Sequence, residues 1–178
     1  LYDRGLGVER NAQEALAMYT RAADLGDPMA EYRLGRLYDG ATLGPADYQT
    51  AIQWYKRAAN QGVAEAQMAL ANHFYAGFGD VVPQDTSEAA KWFRMAAEHG
   101  HPGAQFQMGV LHENGLTVPK SDLEAYAWMR LSAAQGHPAA VENLARLTLA
   151  LDPETLEAAK TLSRTYWDLY VAPFQGGA

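Results

Sequence analysis

The apolar residues of this chain recur at the spacing of one buried helical stripe, and the stripe is written four times. Its copies are Ala15, Met18, Tyr19 and Ala22; Ala51, Trp54, Tyr55 and Ala58; Ala89, Trp92, Phe93 and Ala96; and Ala125, Trp128, Met129 and Ser132. Each set falls at i, i+3, i+4 and i+7, which is one face of an α-helix. Trp54, Trp92 and Trp128 share a register. A ligand cage could use such rings, but this spacing predicts that they are core.

A second helix is also written repeatedly, downstream of a glycine. It reads Ala30, Leu34, Gly35, Leu37, Tyr38; Ala66, Leu70, Ala71, His73, Phe74; Ala104, Met108, Gly109, Leu111, His112; and Ala140, Leu144, Ala145, Leu147, Thr148. The small residue at Gly35, Ala71, Gly109 and Ala145 is mid-helix, where glycine costs about 1 kcal/mol relative to alanine. Close approach of a neighbouring helix is the expected compensation. His73 stands in a leucine register and is expected to be semi-buried; His112 replaces Tyr38 and Phe74, where a flat ring packs.

The joints explain most of the remaining polar residues. Gly26, Gly62, Gly100 and Gly136 lie 36, 38 and 36 residues apart and are predicted to end the stripe helices in the left-handed conformation. Asn11 with Glu14, Asp85 with Glu88, and Ser121 with Glu124 have the form of capping boxes, while Asp47 and Thr50 keep the cap and lose the acid. The stretch "EHGHPGAQ" at 98–105 looks at first like a metal site, since His99 and His101 flank a turn beside Glu98. Its counterparts "DLGDPMAE", "NQGVAEAQ" and "AQGHPAAV" keep the glycine and never repeat His99. His101 therefore stands where Asp27 would cap a helix, with Pro102 in the first turn. The stretch is punctuation, and no metal is expected.

Composition narrows the partners. The chain has 178 residues, 48% of them hydrophobic, and a net charge of −7 without a basic stripe. Phosphate binding needs clustered cations, so nucleic acid is not an expected partner. No cysteine is present, which removes disulfides and thiolate chemistry. No apolar run is long enough for a membrane span. No His-Glu-x-x-His, Gly-x-Ser-x-Gly or phosphate-loop lysine motif occurs, so catalysis and cofactors are not expected, and a hydrolytic enzyme is the remote alternative.

The unit Ala-x-x-x-Leu-Gly-x-x-Tyr, a glycine-containing loop, then Ala-x-x-Trp-Tyr-x-x-Ala-Ala-x-x-Gly resembles the Sel-1-like repeat, a relative of the tetratricopeptide repeats. The match is carried by Ala30, Leu34, Gly35, Tyr38, Ala51, Trp54, Tyr55, Ala58, Ala59 and Gly62, and the loop at 3–11 with Gly5 and Gly7 has the family form. The loop at 39–47, with Gly40 and Gly44, departs from it. The third loop is two residues longer, and the fourth keeps only Gly115. The resemblance implies an all-α, right-handed α-solenoid of antiparallel helix pairs over 1–171. Its repeats fall at about 1–29 (partial), 30–65, 66–103 and 104–139. An atypical capping pair follows at 140–171 and a frayed tail at 172–178. Leu1-Tyr2 aligns with Leu37-Tyr38, so the chain reads as a slice of a longer array. Leu156, Ala159, Ser163, Tyr166, Trp167 and Tyr170 are expected to cover the last repeat.

What the resemblance implies about function is a protein–protein scaffold or adaptor, bacterial, in cytoplasm or periplasm, that binds a protein or peptide. The alternative is a structural or regulatory component of a bacterial envelope assembly. In such a solenoid the first helix of each pair lines the concave face. The expected groove residues are Tyr32, Arg33 and Arg36; Met68, Asn72 and Tyr75; Phe106, Gln107, Val110 and Glu113; and Asn143 and Arg146. They vary between repeats while the packing positions hardly change. Arg36, Met68, Asn72 and Phe106 are central, and Phe106→Ala and Arg36→Ala are expected to weaken binding with little loss of fold.

Overall fold

A computed structural model describes residues 12–40, 43, 45–78 and 81–175. The expected Asn11 cap, the loop at 3–11, the Leu1-Tyr2 alignment, Gly44 and the last three residues of the tail lie outside that range. The described residues form α1 (Ala12–Asp24), α2 (Pro28–Asp39), α3 (Tyr48–Asn60), α4 (Ala64–Ala76), α5 (Thr86–Glu98), α6 (Pro102–Asn114), α7 (Asp122–Ala134), α8 (Pro138–Ala150) and α9 (Pro153–Tyr170), then a 3₁₀ turn, Ala172–Phe174. They fall into two compact units, one ending at Asp85 and one beginning at Thr86.

The tight joints have one hydrogen-bond pattern. Gly26, Gly62, Gly100 and Gly136 have φ of 85°, 88°, 84° and 85°. The glycine N–H donates to the carbonyl three residues back, and the next N–H to the carbonyl five back, as in Asp27 to Ala22 and His101 to Ala96. That is the Schellman termination, and it needs the left-handed residue that glycine supplies without a Cβ clash. At three of the four joints the same next residue then caps the following helix through its side chain, Val63 being the exception. Asp27 Oδ1 accepts from the N–H groups of Met29 and Ala30 at 2.8 and 3.1 Å. Imidazole does the equivalent at His101 and His137, where Nδ1 accepts from Ala104 and Ala140 at 3.2 and 3.3 Å.

The longer loops are closed differently. Asp47 and Ser121 cap α3 and α7 through Thr50 N and Glu124 N, at 3.0 and 3.2 Å. The Ser121–Glu124 box is only half made, because Ser121 N donates to His112 O and Glu124 turns away from it. In the longer third loop Phe78 and Val82 form an isolated antiparallel bridge, which lays the Phe78 ring on Tyr48 at 4.1 Å.

Packing chooses between the two adjacent large residues of each stripe. Tyr55 and Phe93 are buried, whereas Trp54 and Trp92 are only half-buried. For Tyr55 the reason is the small residue opposite, since a Cβ on Gly35 would lie 2.5 Å from its ring; in the last stripe a Cβ on Gly109 would likewise lie 2.8 Å from Met129. Trp54 instead flanks Ala23, Ala30 and Leu34, with the Arg57 guanidinium 4.5 Å over its ring. Trp92 donates its indole N–H to Glu88 at 3.0 Å. The expectation that these tryptophans are core is corrected accordingly.

Trp128 is the buried exception because α9 lies on α7. Tyr166 and Tyr170 pack on its ring at 4.8 and 5.6 Å, and Tyr166 donates to both carboxylate oxygens of Glu124 at 3.0 Å. Ala159 and Ser163 are the buried residues of the same helix. Its far end reaches α5, where a Cβ on Gly100 would meet Tyr170 O at 3.1 Å and the Phe174 ring at 3.2 Å.

Candidate functional site

The first-helix faces carry the expected residues, but not all of them as free surface. In the second unit Phe106 is half-buried and stacked on His137 at 4.7 Å. With Val110 it packs against the cluster of Ala125, Tyr126, Met129 and Leu147. Glu113 and Arg146 pair at 2.6 Å, and Arg146 also donates to Asn143 Oδ1 at 3.1 Å. The expectation that Phe106 could be truncated with little loss of fold is therefore corrected, since its ring joins α6 to the start of α8. Gln107 is half-buried.

In the first unit the same register is more open. Arg36, Asn72 and Tyr75 are exposed, and Arg33 and Met68 are half-buried. Tyr32 packs against Tyr55 at 6.0 Å, with the Arg33 guanidinium 5.7 Å from its own ring centre. Beside them a pocket of about 290 Å³ opens between the end of α2 and the face of α4, lined by Asp39, Ala69, Asn72, His73, Ala76 and Phe78.

Asp39 and His73 were not among the expected site residues. Asp39 Oδ1 accepts from His73 Nε2 at 3.0 Å, and its Oδ2 accepts from the Tyr55 hydroxyl at 2.9 Å. Burial works to raise the carboxyl pKa. The hydrogen bonds and charge of His73, then Tyr55 and the nearby Arg36, outweigh it and hold Asp39 below its ordinary 3.8. Burial and the neighbouring carboxylate push the Tyr55 hydroxyl well above its ordinary 10.0. His73 is 5% exposed, and its Nδ1 has no hydrogen-bond partner among the described residues. The arrangement is an ionised carboxylate fixed by two donors at the wall of a small pocket.

A second polar series was also missed, and it is structural. Glu31, Gln67 and Gln105 are buried at one register, directly after Ala30, Ala66 and Ala104. Glu31 pairs with Arg57 at 2.7 Å and accepts from Gln61 at 2.7 Å. Gln67 and Gln105 donate to the carbonyls of Ala59 and Ala97 at 3.0 and 3.1 Å, and Gln135 donates to Gln105 at 2.7 Å. The recurrence of Glu or Gln after that alanine was the available signal. Among the described residues no group of three or more histidine, aspartate or glutamate side chains converges. No described helix is long and apolar enough to cross a membrane. His101 is a helix cap, as the repeat predicted.

Comparison with known proteins agrees with this geometry. The Sel1 repeat model matches residues 1–27, 28–63, 64–101 and 102–137. The chain is similar to chitin synthase regulatory factor 3 of Schizosaccharomyces pombe, with 32% identity over 62% of the chain and 12% of that protein. It is 36% identical to protein SHC1 of Saccharomyces cerevisiae over 56% of the chain and 21% of that protein. It therefore spans only a small part of these curated relatives. These fungal proteins give no support to the expectation of a bacterial source. A solved structure of c5321, described as a protective antigen of uropathogenic Escherichia coli with an SLR fold, superimposes with a TM-score of 0.83. It is 34% identical and covers 97% of this chain and 37% of its own. A Sel1 repeat protein from Oxalobacter formigenes gives a TM-score of 0.74 at 30% identity, covering 92% of this chain and 68% of its own. Four in-phase repeats, their Schellman joints and these matches make the chain a member of the Sel1 repeat family, with its all-α solenoid fold of helix pairs.

Proposed function

We propose that this chain is a non-enzymatic interaction module that takes a protein or peptide segment on the first-helix faces of its repeats. The supporting observation is a division of labour among polar residues. Caps, Schellman turns and the buried Glu31, Gln67 and Gln105 series account for the polar positions that recur. Arg33, Arg36, Met68, Asn72 and Tyr75 vary in type from one repeat to the next and are exposed or half-buried in the first unit. This mix of arginine, aromatic, methionine and amide groups is the kind that supplies binding energy at interfaces.

A second reading is a regulatory segment of a larger protein. The name of the Schizosaccharomyces pombe relative, a chitin synthase regulatory factor, and the small share of the fungal relatives that this chain spans favour it. The two readings are compatible, since a regulator also works through a bound partner.

Photo-crosslinking from Met68 and Gln107, followed by identification of the attached peptide, tests the proposal. Arg36→Ala and Met68→Ala are expected to weaken that partner by about 1–3 kcal/mol each while leaving the fold intact. Unchanged affinity in both, with Lys91→Glu on α5 abolishing binding, would place the interaction elsewhere.

A further inference from the structure

We infer that the pocket between the end of α2 and α4 is a socket for one basic side chain, arginine or lysine, of the bound segment. This rests on the interaction-module reading above and names the chemistry that would be recognised.

Asp39 is the last residue of α2, where the helix dipole disfavours a carboxylate. Local conflicts of this kind are expected at functional sites. The carboxylate is nevertheless fixed by two donors, the His73 imidazole at 3.0 Å and the Tyr55 hydroxyl at 2.9 Å. An ionised carboxylate offers about four lone-pair sites, so two remain for a guest. Its side chain is 30% exposed, open enough for contact and enclosed enough that a pair there is less screened than on open surface.

The rest of the pocket suits the stem and neighbours of such a side chain. Ala69, Ala76 and Phe78 supply apolar wall, and Phe78 is held in place by its stack on Tyr48 at 4.1 Å. An aliphatic stem would lie along these residues while its charged head reached Asp39. Asn72, exposed at the same pocket, offers a donor and an acceptor to the backbone of an extended segment. Besides His73, already counted as a donor, Arg36 is the cation that acts on Asp39, but it is exposed and forms no ion pair within 4.0 Å among the described residues. The net charge of −7 would draw a basic partner toward the chain.

The test uses the intact chain and small probes. N-acetyl-argininamide and N-acetyl-lysinamide would be titrated while amide NMR signals are followed, with the neutral isostere N-acetyl-citrullinamide as control. Saturable shifts at Asn72, His73 and Ala76, at least tenfold weaker with citrulline, are expected. Which of the two cations binds more tightly distinguishes guanidinium from ammonium. Asp39→Asn should remove the preference for a cation. If that variant loses its dispersed spectrum, Ala69→Phe, which fills the pocket and keeps the carboxylate, should abolish the shifts instead. Equal shifts with citrulline, or unchanged arginine binding in a folded Asp39→Asn or Ala69→Phe variant, would overturn the socket. A partner that still depends on Met68 while ignoring Asp39 would overturn the socket alone. Socket binding without any partner dependence on Met68 or Arg36 would instead count against the wider face.

Discussion

The ring of Tyr55 occupies the space that a side chain at Gly35 would need, with its Cδ1 and Cε1 atoms 2.5 Å from where a Cβ would lie. Two residues on consecutive helices, α2 and α3, thus share one volume. The helix propensity lost at glycine is exchanged for burial of a whole aromatic ring.

Gly35→Ala should therefore destabilise the chain by about 1–3 kcal/mol through overpacking, despite alanine's better helix propensity. Gly109→Ala should cost less, because its neighbour is the flexible side chain of Met129, whose nearest atom would be 2.8 Å away. Urea denaturation of the two variants checks the order. A stabilised Gly35→Ala would mean that the close approach is absent in solution.

The left-handed glycines should separate in the same way. At Gly62 a Cβ meets nothing within 4 Å, so Gly62→Ala should cost only the backbone strain, on the order of 1 kcal/mol. Gly100→Ala adds a clash with Tyr170 O at 3.1 Å and should loosen the end of α9 as well. Faster hydrogen exchange in the last turns of α9, seen in Gly100→Ala and not in Gly62→Ala, is the expected signature.

Within each stripe the costs of truncation should rank by burial. Tyr55→Ala and Phe93→Ala are expected to cost roughly 3–5 kcal/mol because each empties a closed core site. Trp54→Ala and Trp92→Ala should cost less, since each ring keeps one side toward solvent, or under Arg57 in the case of Trp54. Thermal or urea melts of the four variants suffice. Equal losses would contradict the observed rotation of the stripe.

Acid should weaken the first unit through Asp39. Its folded pKa lies below the ordinary 3.8, so the stability it contributes is present above that value and is lost as pH falls through and below it. Asp39→Asn should flatten the acid limb of the stability profile while lowering the plateau. At the alkaline end the raised pKa values of Tyr55 and Tyr166 act in the opposite sense: their contribution holds below pH 10.0 and declines as pH rises beyond it. Tyrosinate absorbance recorded alongside helicity would follow both limbs, and Tyr166→Phe should reduce the alkaline fall.

Features that depend on near neighbours along the chain are legible in the order of the residues. Helix periodicity, the Schellman glycines and the caps at Asp27, Asp47, Ser121, His101 and His137 all operate within about six residues, and their recurrence every 36 to 38 residues sets the phase of the repeat. Each is visible as a residue type at a fixed offset. Tertiary structure decided which of two adjacent aromatics turns inward, because that depends on the small residue presented by another helix. Tyr55 fills the space at Gly35 while Trp54 stays at the edge, and Trp128 is buried only because Tyr166 and Tyr170 of α9 come to rest on it. It also decided the fate of the first-helix residues. Phe106, Glu113 and Arg146 were drawn into contacts with neighbouring helices, whereas Arg36 and Asn72 stayed open. The pocket carboxylate was the least legible feature, since Asp39, Tyr55 and His73 stand on three different helices at no common repeat offset. Only packing of α3 against α2 and of α4 against α3 brings their polar atoms within hydrogen-bonding distance, and no periodicity along the chain encodes that distance.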